Sequence, residues 1–95
     1  MSDLPEELVI TLRKPVTVAD ETIYELRLSE PNVNQLDQFV TQAEKVGGIK
    51  AMAALIASVA EVNVVIVGKI GARDFKLAEG YLTRFFDDSP TTTAT

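Results

Sequence analysis

The chain has 95 residues, a net charge of −5, and neither cysteine nor histidine. A disulfide framework, a zinc–thiolate site, a thiol nucleophile and the commonest general base are therefore excluded. The acidic balance also argues against nucleic-acid binding, which needs basic groups to displace phosphate counterions.

A chain of this length is expected to form a single small domain, residues 1–88, of roughly 13 Å radius of gyration. The acidity is uneven. Residues 1–31 carry seven acids against three bases, whereas residues 63–95 carry four of each. The amino-terminal third is thus the solubilising part. Its first residues, Met1 to Glu7, are acidic and polar and do not read as a secretory signal.

Leu8, Ile10 and Leu12 alternate with Val9, Thr11 and Arg13, and Tyr24, Leu26 and Leu28 alternate with Ile23, Glu25 and Arg27. Period-two alternation predicts two half-buried strands, joined as a hairpin over residues 7–28 by a link from Lys14 to Thr22 containing Pro15. One face would carry Leu8, Ile10, Leu12, Tyr24, Leu26 and Leu28. A two-stranded hairpin is not stable alone, so helices must cover it.

Asn32 followed three residues later by Gln35 has the form of a capping box. Val33, Leu36, Phe39, Val40 and Ala43 then recur at helical spacing, predicting an amphipathic helix over 33–46, about 21 Å long. Gly47-Gly48 ends it. The next helix, 49–61, is apolar nearly all the way round and must be buried on several sides or meet a partner. Residues 62–70 are ambiguous: Val64 to Val67 favour a strand by β-branching, while Asn63 could cap a short helix. Beyond Gly71, Asp74 precedes a helical pattern over 74–86 with Phe75, Leu77, Tyr81, Leu82 and Phe85, with Gly80 in its interior. From Asp87 onward there is no apolar face, and residues 89–95 read as a disordered tail. The fold class is α+β: an amino-terminal hairpin followed by three to four helices on one of its faces.

Val46 to Ile70 hold only three charges, Lys50, Glu61 and Lys69. Ala51 to Gly68 reaches the lower length bound of a membrane span. Glu61 and Asn63 oppose that reading, since an acid inside a bilayer costs ~2.5–3.5 kcal/mol. The greasy stretch is instead expected to meet protein, with Met52, Ile56, Val59, Val62 and Val65 lining the contact and Phe86 as a further anchor. Self-association through the same helix is a parallel expectation. Phe85 reads as core. Lys69, Arg73 and Lys76 would share a face only if one helix ran through Gly71, and a solvated surface is the ordinary reading.

No chemistry emerges from the motifs. Gly68-Lys69-Ile70 resembles the end of a phosphate loop but has Asn63 where that loop needs glycine and Ile70 where it needs Ser or Thr. The pairs Glu6-Glu7, Asp20-Glu21 and Asp87-Asp88 read as solvated carboxylates. No catalytic residue, metal site or cofactor is expected, and without histidine or cysteine no nucleophile has an identifiable base.

The element order carries a resemblance. Leu12-Arg13-Lys14-Pro15 closes the first strand, Leu28-Ser29-Glu30-Pro31 leads into the first helix, and Asp74 precedes a helix ending in Phe85. Across residues 8–86 this resembles the small tail assembly chaperone family of tailed bacteriophages, typified by Mu-like and P2-like contractile-tailed phages. Family members often have a glycine in the hairpin turn, where this chain has Asp20-Glu21. The resemblance implies a short helix, 64–70, in the ambiguous segment. It also implies a non-enzymatic protein that binds the tape measure protein in the host bacterial cytoplasm. It would keep that client soluble while tube subunits polymerise, and be absent from the mature virion. Many members are also made as a longer frameshifted product, for which the tail would be a suitable junction and with which this chain could associate. The contending reading is a structural tail or baseplate component, in which the apolar surface is a permanent interface. A small ligand-binding domain is a third.

Overall fold

The computed structural model describes residues 6–87. Two strands, β1 (Glu7–Val18) and β2 (Glu21–Ser29), are followed by four helices: α1 (Val33–Val46), α2 (Gly48–Ala60), α3 (Val64–Val67) and α4 (Ala72–Asp87). The α+β class expected from the alternation and the helical spacings is the observed one. The tail expected over 89–95 lies outside the described residues.

The strands pair antiparallel, with Leu8 opposite Leu28 and Ile10 opposite Leu26. Ile10, Leu12, Leu26 and Leu28 are buried, whereas Thr11 and Arg27 are exposed. One face is therefore covered and the other solvated. The turn is tighter and later than the Lys14–Thr22 link suggests. Val18 pairs with Glu21, leaving Ala19 and Asp20 as the turn, and Ala19 adopts a left-handed φ of 56°. Pro15 sits inside β1, where the register shifts between Thr11 and Val16. β1 carries Leu12 to Pro15 across from Tyr24 alone, so Pro15 removes no ladder bond. The bulge also overturns one expectation. Tyr24 is 64% exposed, and Ile23, opposite Val16, packs against the core in its place. Between the two regular stretches of ladder β1 has four residues and β2 one, an odd difference, so the strict alternation of β2 shifts by one residue there.

The Asn32–Gln35 capping box is complete. The Gln35 amide donates to Asn32 Oδ1 at 2.8 Å, and the Asn32 amide donates to Gln35 Oε1 at 2.9 Å. Gly47, at φ 95°, ends α1 and begins α2 in a single residue, a conformation suited to glycine. α2 buries Ala51, Met52, Leu55, Ile56 and Ala57 and contacts β2, α1, α3 and α4. It stops at Glu61 in the left-handed region. The β-branched run Val64–Val67 is helical, as the resemblance implies and strand propensity does not. Asn63 Oδ1 accepts from the Val65 amide at 2.8 Å, and the turn sets Ile66 and Val67 into the core. Capping and burial here outweigh local preference. α3 is shorter than expected, with turn-like bonds carrying the chain through Lys69 and Ile70.

α4 begins at Ala72, so Asp74 lies in its first turn. Asp74 is 3% exposed, and its Oδ2 accepts the backbone N–H of Arg13 at 3.0 Å. Arg13 belongs to the bulge of β1. One buried carboxylate thus ties α4 to the segment of the hairpin that lacks a regular strand partner.

Candidate functional site

The core is built from the hairpin, α2, α3 and α4, and α1 contributes no buried residue to it. The reason is geometric. Two strands lie only ~4.8 Å apart, and each helix is ~10 Å across. α2, α3 and α4 exhaust the apolar face of the hairpin, leaving α1 to rest on α2. Its inner side is held there by half-buried Phe39 and by Gln35, whose Nε2 donates to Ser58 Oγ at 2.8 Å. Phe39 also stacks on Phe86 of α4, with centroids 5.5 Å apart and an interplanar angle of 27°.

The outer side of α1 is apolar and uncovered. Exposure rises away from α2, from 37% at Leu36 to 48% at Val40 and 79% at Val33. Residues at i, i+3 and i+7 form one stripe along a helix. At its amino-terminal end the stripe runs into a groove of about 140 Å³ formed by Glu30, Pro31, Val33, Leu36, Phe85 and Phe86. This continuous apolar strip, one helix face long and ending on two phenylalanines, is the candidate docking face.

Its border is acidic. Asp37 and Glu44 stand one turn beyond Val33 and Val40 on the same side of the helix, both exposed. Glu30 is exposed at the groove. Nearby, Tyr81 has its phenol pKa raised above the ordinary 10.0, first by burial and then by the negative charges of Glu30, Glu7 and Glu6.

The contact residues expected from the sequence are dispersed. Met52 and Ile56, expected on the surface, are core at 2% and 0% exposure, because α2 is sandwiched between hairpin and helices. Val59 and Val62 are half-buried and pack against the same core. Val65 is 49% exposed on α3, apart from the α1 face. Phe86 is half-buried and belongs to the groove. Val33, Leu36 and Val40 read from the sequence only as one face of an amphipathic helix and are not among the expected contact residues. The available signal was the hairpin's width, which is too small to cover every apolar helix.

Two further surfaces flank the fold. Ile49, Ala53, Val67, Ile70 and Phe75 line an apolar groove of about 360 Å³ beside the start of α4. Arg13, Lys14, Lys69 and Asp74 line a basic hollow of about 540 Å³ around the bulge. Lys69 precedes Gly71 and the helix start, so it shares no helix face with Arg73 and Lys76. Lys76 instead pairs with Glu79 at 3.2 Å. Among the described residues no acidic cluster is arranged to hold a metal ion, and no helix is long and apolar enough to cross a membrane.

A family model described as "Phage tail assembly chaperone proteins, E, or 41 or 14" matches residues 9–87. The chain belongs to this family. The match runs from Val9, the third paired residue of β1, to the last residue of α4, so it includes every element that builds the apolar face. No match was found among curated proteins or among solved structures. Membership of a chaperone family implies a non-enzymatic role in tail assembly.

Proposed function

We propose that this tail assembly chaperone binds the tape measure protein of its phage and keeps it soluble in the host cytoplasm until tube subunits replace it. It would then be absent from the finished particle. The observation that carries this reading is α1: a 14-residue helix with an apolar stripe and no buried residue, on a chain of net charge −5. An amphipathic helix of a client can lay its own apolar seam along such a face. The face is only about two helical turns long, which suits a contact that must later be displaced.

The test is co-expression of the full chain with the tape measure protein of the same phage. Wild type is expected to raise the soluble fraction of the client and to co-purify with it. A Val33→Asp/Val40→Asp variant is expected to stay folded, because both positions are exposed, and to lose both effects. Equal solubility with and without the chaperone, or full activity of the double variant, would refute the reading. Mass spectrometry of purified particles tests the remaining clause, since stoichiometric recovery of the chain would instead mark a structural component.

A further inference from the structure

The border of the α1 face carries information that its apolar stripe does not. Assigning Val33, Leu36, Val40 and Ala43 to the alternating three- and four-residue spacing of a heptad seam puts Asp37 and Glu44 at equivalent positions, seven residues apart on one flank. Both are exposed, and neither makes an ion pair among the described residues. The base of α1, Lys45, falls ~140° round the helix from Val40 and leaves this flank uniformly acidic. Glu30 extends the same sign to the groove that holds Phe85 and Phe86.

We infer that the α1 face selects an amphipathic helix that carries lysine or arginine beside its apolar seam, two of these bases being spaced seven residues apart. Such a helix puts cations opposite Asp37 and Glu44 while its seam covers Val33, Leu36 and Val40. A second copy of this chain docked antiparallel is a poor occupant. Pairing two α1 helices antiparallel brings equivalent flanks together and faces Asp37 and Glu44 with the same acids of the other copy. Each protomer also adds a net −5 to the repulsion. The acidic border therefore admits basic-flanked helices and discriminates against antiparallel self-pairing. This inference rests on the docking role proposed above for the same face, and it adds the chemistry of the occupant.

The probes are two synthetic amphipathic helices with the same leucine and isoleucine seam, one flanked by lysine and one by glutamate. Their affinities for the full chain are measured by fluorescence anisotropy at low and at physiological salt. The wild type is expected to prefer the lysine-flanked helix by roughly three- to tenfold, as two exposed charge pairs would give, with the margin shrinking as salt rises. Asp37→Lys/Glu44→Lys is expected to reverse the preference. Val40→Asp is expected to weaken both probes, whereas Ile49→Asp, in the groove at the other end of α4, is expected to leave both unchanged. Equal affinities, an unreversed preference or no binding of either probe would overturn the inference. So would a dimer at micromolar concentration that Val40→Asp dissolves. Retrieval of the tape measure protein separates the two levels. Loss with Val40→Asp but not with Asp37→Lys/Glu44→Lys overturns the charge selection alone, and retention with Val40→Asp overturns the docking face itself.

Discussion

Removing the carboxylate of Asp74 should loosen the union of α4 with the hairpin. Its Oδ2 accepts the Arg13 amide at 3.0 Å, in a side chain only 3% exposed. Arg13 lies within the irregular stretch of β1, where the ladder offers its amide no regular partner. In Asp74→Ala that amide is left without its acceptor in a partly buried position, a loss of ~1–3 kcal/mol. The same carboxylate sits in the first turn of α4, where a negative charge opposes the helix dipole by ~0.3–1 kcal/mol. The combined cost is roughly 1.3–4 kcal/mol, against a total of ~5–15 kcal/mol for an ordinary domain. In a domain this small each kcal/mol moves the melting temperature by ~4–8 °C, so a fall of at least ~5 °C is expected. Asp74→Asn keeps an oxygen acceptor and loses only the charge, so it should cost about 1 kcal/mol. Urea denaturation of the three proteins measures these differences, with the slope expected to stay constant. Amide exchange at Arg13 should quicken in the alanine variant and stay slow in the asparagine variant. An alanine variant within ~0.5 kcal/mol of wild type, or an asparagine variant as unstable as the alanine one, would refute the assignment of Asp74 as the acceptor that holds the bulge.

Ile56→Ala should cost about 2–5 kcal/mol, because Ile56 is wholly buried, whereas Val65→Asp should alter the urea midpoint little, because Val65 is 49% exposed. The opposite ranking would place the contact surface back on α2. Gly80→Ala should stabilise the protein by ~0.8–1 kcal/mol, since the added methyl meets nothing within 4 Å in the interior of α4. A gain is also expected for Glu61→Gly, whose left-handed φ of 60° costs a side-chain-bearing residue about 1–2 kcal/mol, partly offset by the entropy of glycine. Both are read from thermal melts. Tyr81 makes stability fall at alkaline pH. Its raised pKa means that the unfolded chain gives up this proton first, so the contribution is full below pH 10 and is lost as pH climbs through the folded value. Tyr81→Phe should flatten that decline in pH-dependent urea melts, and an unchanged profile would dismiss the effect.

Much of the fold was legible because it is written in local chemistry. Alternating Leu8, Ile10 and Leu12 specify a strand whatever lies above it. Asn32 and Gln35 fix where α1 begins by satisfying each other's amides, and Gly47 fixes where it ends. Tyr24 was not legible, because alternation cannot register extra residues on the opposite strand. The site was harder still. Periodicity groups Val33, Leu36 and Val40 on one face, but it is silent on whether anything lies against that face.

The sequence by itself determined the hairpin, α1, α2, α4 and the acidic, histidine-free composition that leaves no evident catalytic group; α3 it left open between strand and helix. Tertiary structure alone decided which apolar helix would be hidden. A two-stranded platform has room for α2, α3 and α4 and no more, so α2, greasy on all sides, takes the interior with Met52 and Ile56. α1, with a polar side to offer water, remains outside. Its uncovered stripe is the consequence of competition for a small area, a property of the assembled chain that no single segment contains.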